Sequence, residues 1–476
     1  MSLELCYLSA RECLNRFRRG SLSPVELLDA QIERAEALEP RINAFSFTHF
    51  EEARQQAKQA ERAWRDGTAR PLEGIPVAVK DEQMIEGYPT SNGSLLLEDY
   101  VADYTDPLPQ RLQDAGAIIH ARTTTPEFSM SLATWSKLWG VTRNPWNPDC
   151  TPGGSSGGAA ASLAAGTTTL ASGSDIGGSI RVPAALSGTV GFKAPWGRVP
   201  EMYPWNREQF AQSGCLGRTV SDVILMQNVI AGPHPYDLCS LPAYMLPDRQ
   251  APVAGMRIAL CPDLGYFAVD LEVRQALEGA AEALRDLGAT VEVIDLDWTE
   301  EAGAVLMRHL MFQAGSVFRE QFGDKIPLEK LTPYAREIVE GQAGVSFEDE
   351  KAGWRIADTM LRELQDKVFQ AGFEALICPT TATTKIPADY DHTQDIAMVD
   401  GKKTTGLIHL GLTYPFNILN RFPVLSVPVG VGANGVPIGM QIVAPAYDDA
   451  TAFRIAGDLE GVLPSPFAAG RRPNLT

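Results

Sequence analysis

Two short stretches of this 476-residue sequence carry hydroxyls and uncovered backbone at high density. Gly153-Gly154-Ser155-Ser156-Gly157-Gly158 and Gly177-Gly178-Ser179 flank a run of Ala, Ser, Leu and Thr. Small residues in such number fill a core poorly. They let backbone approach a ligand, because glycine tolerates positive φ and lacks the Cβ that blocks approach. Each glycine-rich knot sets a serine hydroxyl beside N–H groups that no bulky side chain covers, the raw material of a nucleophile next to an oxyanion hole. Upstream, Ile75-Pro76-Val77-Ala78-Val79-Lys80-Asp81 reads as a short apolar strand closed by a lysine. Such a lysine either reaches for solvent or is held at the edge of a buried site, where desolvation frees it to accept a proton. Its neighbours in sequence leave both readings open.

The elements that must position these groups follow from capping and periodicity. A helix is expected over 8–19. Ser23-Pro24-Val25-Glu26 opens a second, with Ser23 as cap, Pro24 at the first helical position and Glu26 completing a capping box. A third, charged helix is expected over 51–65. Residues 112–122 read as a helix end, a glycine turn and a strand, and Asn144-Pro145-Trp146-Asn147-Pro148 as a loop into the central stretch. Beyond it come a helix and turn (183–190), a strand start at Gly191, a helix over 220–230, a strand over 256–260, a helix over 273–287 stopped by Gly288, and a strand over 291–296. This βαβ rhythm implies an α/β fold, a parallel or mixed sheet with helices on its faces. Residues 300–370 read as mostly helical, 375–378 as a buried strand and 389–403 as a polar loop. Strands are expected over 424–429 and 437–443, and Asp449 is expected to cap a last helix over 450–460.

Composition removes several function classes. With 41 Lys+Arg against 59 Asp+Glu the formal net charge is −18, which argues against a nucleic-acid or anionic-membrane surface. Seven scattered cysteines with no C-x-x-C pair argue against a disulfide framework or zinc site and for a reducing compartment, so a cytoplasmic location is expected. Met1–Leu14 lacks the pattern of a signal peptide, and there is no apolar run of about eighteen residues. None of the six histidines lies in a recognisable motif for a Ser-His-Asp triad, no Gly-Lys-Ser/Thr ending makes Ser155–Gly158 a phosphate loop, and no H-E-x-x-H is present. No metal or cofactor is expected.

The paired knots, with Gly173-Ser174-Asp175-Ile176-Gly177-Gly178-Ser179-Ile180-Arg181-Val182-Pro183 continuing the second, resemble the amidase signature family. The resemblance extends to Gly74–Asp81, Thr125-Pro126-Glu127-Phe128, Thr142-Arg143-Asn144-Pro145-Trp146, Phe416-Asn417, Ser426-Val427-Pro428 and Gly439-Met440-Gln441, and is weakest over 300–410. It implies a single amidase-signature domain over 1–476, with a twisted mixed sheet covered by helices on both faces. A catalytic core is expected over about 70–230 and 410–460, and a variable substrate-facing region over about 300–410. It implies a Ser–Ser–Lys hydrolase: Ser179 as nucleophile, Ser155 as a bridging serine after a cis peptide bond, Lys80 as base, and the N–H groups of Ile176, Gly177, Gly178 and Ser179 as oxyanion hole. Ser156, Ser174, Asp175 and Arg181 match supporting positions. Departures from the family pattern include Lys193-Ala194-Pro195 and Glu82, where the family often has Asn or a small residue.

What the resemblance implies in function is a hydrolase of the C–N bonds of amides, a carboxamide, anilide or carbamate (urethane), through an acyl-enzyme. The alternative is a glutamine-amidohydrolase component of an amidotransferase complex. Met130, Ser131, Gly154 and Trp205 are candidate substrate-binding residues, and Met202, Tyr203, Trp135 and Leu410 further apolar surface, which favours a hydrophobic or aromatic substrate. The expected partner is a small-molecule amide or carbamate, with no nucleic acid and no membrane, in a monomer or homodimer.

Overall fold

A computed structural model describes residues 3–248, 250–323, 325–404 and 406–475. From the N-terminus the elements are α1 (Ala10–Arg19), α2 (Pro24–Ile42), β1 (Phe45–Thr48), α3 (Phe50–Asp66), β2 (Pro76–Lys80), α4 (Pro107–Asp114) and β3 (Ile118–Thr123). A small hairpin, β4 (Trp135–Ser136) and β5 (Gly140–Val141), precedes α5 (Gly157–Ala165), β6 (Leu170–Asp175), α6 (Arg181–Ser187), β7 (Val190–Lys193), β8 (Gln212–Gly217) and α7 (Val220–Ile230). Next come β9 (Arg257–Leu260), α8 (Leu271–Asp286), β10 (Thr290–Val293), α9 (Glu301–Phe322), α10 (Pro333–Gly341), α11 (Phe347–Leu364) and β11 (Ala375–Pro379). The chain closes with β12 (Ala397–Val399), β13 (Lys402–Thr404), α12 (Pro415–Ile418), β14 (Val424–Val431), β15 (Pro437–Val443) and α13 (Asp449–Val462).

Local chemistry sets many of these boundaries. At α2 the Glu26 N–H donates to Ser23 Oγ (3.1 Å) and the Ser23 N–H to the Glu26 carboxylate (2.8 Å), the reciprocal box expected there. At α13 the cap is Asp448, not Asp449: the Thr451 N–H donates to Asp448 Oδ1 (3.2 Å), and the helix starts one residue earlier than expected. The 389–403 segment is not all loop, since β12 and β13 pair as an antiparallel hairpin.

Eleven strands form one mixed sheet in the order β1-β3-β2-β6-β8-β7-β14-β15-β11-β9-β10. β2 runs parallel to β3 and β6, β9 runs parallel to β10 and β11, and the strands between are antiparallel. Every residue of β2, β11 and β15 is buried, so helices cover the sheet on both faces. The central run of small residues is itself core. All nine residues of α5 are buried, and the helix packs against β2, β3 and β6. Close approach is what the glycines provide here: a Cβ on Gly158 would collide with Thr124 and the Ala44 carbonyl. Among the described residues no helix is long and apolar enough to cross a membrane.

Candidate active site

Lys80 is the last residue of β2, and β6 runs parallel beside it, so the lysine lies where parallel strands of α/β sheets place ligands, at their C-terminal ends. Its side chain is fully buried. Nζ lies 2.7 Å from Ser155 Oγ, 3.0 Å from Ser174 Oγ and 3.2 Å from Glu82 Oε1. An ammonium has three N–H donors, and three acceptors surround it. Burial pushes the Lys80 ammonium below the usual lysine range, and the Glu82 carboxylate opposes that shift. The Lys80 main-chain N–H donates to Ser172 Oγ (3.0 Å), which fixes the strand end. Asp81 turns the other way and accepts from the Ser91 N–H (3.1 Å) and hydroxyl.

Ser155 of the first knot and Ser174, just ahead of the second, meet at this lysine, while no hydrogen bond joins Ser179 to Lys80 or to the Ser155 hydroxyl among the described residues. The Gly154–Ser155 peptide is cis. Thr134 Oγ1 donates to the Gly153 carbonyl (2.9 Å), and the Ser156 N–H donates to the Ser179 carbonyl (3.2 Å), tying one knot to the other. Ser156 Oγ also accepts from the Ser174 N–H (3.4 Å). Gly178 has φ of +127°, and a Cβ there would collide with Thr413, so glycine is required on both counts. The Gly178 N–H donates to Asp175 Oδ1 (2.9 Å), and the Ile180 and Arg181 N–H groups to Asp175 Oδ2 (3.2 and 3.3 Å). The Asp175 carboxylate therefore already occupies one of the four N–H groups expected at an oxyanion.

Asp175 and Arg181 form a buried pair at 2.8 Å, both side chains fully inaccessible. Burial alone would raise the Asp175 carboxyl, but the Arg181 guanidinium and the Asn417 amide hold it below the usual carboxylate range. Arg181 also donates to the Thr413 carbonyl (2.8 Å), Gln441 Oε1 (2.6 Å) and Asn417 Oδ1 (2.7 Å), so it ties the second knot to α12, β15 and the segment between β13 and α12. Arg181→Met should cost about 3–5 kcal/mol of stability, because it leaves a buried carboxylate without its counter-charge. Urea denaturation of the purified variant measures this; a loss under about 1 kcal/mol, on the order of an exposed pair, would mean that Arg181 is dispensable to the fold.

Ser179 lines a cavity, and its hydroxyl has no hydrogen-bond partner among the described residues. Met130, Ser131, Gly154, Ile176, Gly177 and Gly178 line it too. The opposite walls come from Leu306 and Leu310 of α9, with Ile408, Gly411 and Tyr414. Among the described residues that line it there is no Asp, Glu, Lys or Arg. Trp205 is not there: it sits on a short 3₁₀ turn, Trp205–Arg207, and is exposed. Leu410 is fully buried core between lining neighbours.

Side chains that sequence reasoning does not single out stabilise the α9 wall. His309, one residue from Leu310, is held through Nδ1 by Glu350 Oε1 (2.6 Å) and through Nε2 by Glu208 Oε1 (2.7 Å), with its ring stacked on Phe210 at 3.9 Å. Burial lowers its basicity, but the two carboxylates override this and raise it to about 9, so the imidazole is charged at neutral pH. Its partners lie 101 and 41 residues away, beyond any local motif.

The family model described as Amidase matches residues 26–453. A protein of Roseiflexus sp. (strain RS-1) described as the A chain of a glutamyl-tRNA(Gln) amidotransferase is 34% identical over 480 residues, covering 95% of this chain and 95% of that protein. An acylamidase of Rhodococcus erythropolis is 31% identical over 470 residues, 97% of this chain and 96% of that protein. Among solved structures, a bacterial aryl acylamidase of the amidase signature enzymes superposes with a TM-score of 0.88 at 27% identity, over 98% of this chain and 99% of that one.

Proposed function

The chain belongs to the amidase family, and on that premise we propose that it hydrolyses amide and carbamate C–N bonds of small apolar or aryl substrates through an acyl-enzyme on Ser179. The observation that carries this reading is Lys80 Nζ, fully buried and 2.7 Å from Ser155 Oγ, beside a cavity that Ser179 lines. Neutral Lys80 takes the Ser155 proton while Ser155 takes that of Ser179. The Ser179 oxygen bonds to the carbonyl carbon, and the displaced electron pair moves to the carbonyl oxygen. The N–H groups of Ile176, Gly177 and Ser179 remain as donors to that oxyanion, since Gly178 is engaged by Asp175. The C–N bond then breaks as Ser155 returns a proton to the leaving nitrogen, and water cleaves the ester.

A second reading, a glutamine amidohydrolase serving an amidotransferase, is favoured by the relatives that carry an amidotransferase description. The cavity weighs against it. The α-ammonium and α-carboxylate of glutamine would meet no charged lining residue, and charges moved from water without partners are disfavoured. The purified chain alone should cleave an apolar anilide with kcat/KM roughly 10²-fold or more above that for glutamine. A matched carbamate should be accepted within about tenfold of the amide, since both offer the same carbonyl to Ser179. Glutaminase activity that emerges only with partner chains, without anilide cleavage, would reverse the choice.

A further inference from the structure

Of the three acceptors around Lys80 Nζ, only Glu82 is charged. Its second oxygen accepts from the Ser129 hydroxyl, which also pairs with Thr125 Oγ1 (2.9 Å) and lines the cavity. The carboxylate is thus fixed at both ends, one oxygen on the lysine and the other on the cavity wall. We propose that Glu82 is a positioning residue: its carboxylate holds Lys80 Nζ within reach of Ser155 and stabilises the ammonium that forms when Lys80 takes up the Ser155 proton. This rests on the reading of Lys80 as the base.

The proton step makes the role concrete. Before attack, a neutral amine offers its lone pair to the Ser155 O–H and directs its two N–H bonds at Ser174 and Glu82. As the Ser179 oxygen bonds to the carbonyl carbon, one proton moves from Ser179 to Ser155 and another from Ser155 to Lys80. Lys80 is then an ammonium facing Glu82, and the negative charge sits on the substrate oxygen. When the C–N bond breaks, Ser155 gives its proton to the leaving nitrogen and recovers one from Lys80, which is neutral again. The other carboxylate near Lys80, Asp175, is already paired with Arg181. Around Glu82 the charged and titratable neighbours are Asp106, Arg122 and Glu201. Glu201 is pushed up to about 8 by burial, with Asp106 and Glu82 adding to the shift, so it titrates in the range that matters and needs its own control.

Removing the charge should have two opposed effects. The neutral amine is reached at lower pH, and the ammonium of the transition state loses its counter-charge. Anilide hydrolysis is therefore measured against pH for the wild type, Glu82→Gln, Glu82→Asp and Glu201→Gln. In Glu82→Gln the acid limb should move down by about one pH unit or more while the alkaline plateau of kcat falls roughly tenfold, with KM little changed. Glu82→Asp, which keeps the charge on a shorter arm, should leave the limb within about half a pH unit of wild type. An unmoved limb in Glu82→Gln, a uniform loss at every pH, an Asp variant that shifts as far as the Gln variant, or a Glu201→Gln variant that shifts the limb equally would each overturn the proposal. Lys80→Met separates the two levels. If that variant stays active, the reading of Lys80 as base fails; if it is inactive and Glu82→Gln leaves the limb in place, only the role of Glu82 fails.

Discussion

Ser179→Ala is expected to lose turnover by on the order of 10⁶-fold, the scale seen when a nucleophile that works as part of a unit is removed, equivalent to about 8 kcal/mol of transition-state stabilisation. The hydroxyl opens onto the cavity with no partner among the described residues, while its main chain is pinned through the Ser156 bond and the Asp175 contacts on either side. Its deletion therefore removes the attacking atom without disturbing the loop. The variant should keep the melting transition of the wild type and should no longer be labelled by a fluorophosphonate. Mass spectrometry locates the adduct in the wild type. Labelling of Ser179→Ala at a different serine, at the wild-type rate, would move the nucleophile elsewhere.

Lys80→Met should lower kcat/KM for an anilide by about 10⁴-fold, at the upper end of what a positioned base contributes, because the Ser155 proton then has no acceptor. Methionine keeps the length of the side chain and carries no charge into a fully buried position. The wild-type profile carries the sign. Only the neutral amine accepts a proton, so the rate should rise with pH and level off above the Lys80 transition. That transition lies below the usual lysine range because burial disfavours the ammonium, with Glu82 holding it back from falling further. A flat profile from mildly acidic to alkaline pH, with chemistry rate-limiting, would remove Lys80 from this role.

Much of the scaffold is legible in the sequence because its signals are local. The capping box at Ser23, the helix over 220–230 and the strands β2, β11 and β15 depend on residues a few positions apart. The small-residue run is harder. Gly157–Ala165 looks like backbone left open for a ligand, yet it is a helix packed on the sheet, because a Cβ-poor surface also suits close helix–sheet contact. Ser155, Ser174 and Lys80 meet across separations of 75 and 94 residues, which periodicity cannot supply and only a resemblance to known proteins suggests. Glu82 is visible only as a departure, since nothing local says that a carboxylate two residues past a strand end folds back on the lysine. Trp205 fails as a lining residue because an aromatic in a proline-punctuated loop gives no hint of which way it faces.

The cavity is assembled from two widely separated lengths of chain. Everything proposed to handle protons lies between Lys80 and Ser179, while the facing wall comes from Leu306, Leu310, Ile408 and Tyr414. The wall helix is tethered through a side chain that is not among the lining residues, His309, held by Glu208 and Glu350. Its inner face is therefore free to vary without the helix losing its seat. Divergence in such a molecule has an easy direction: a lineage can exchange one acyl group for another by rewriting a few apolar positions near 306, 310 and 408, and inherit its reaction chemistry unaltered.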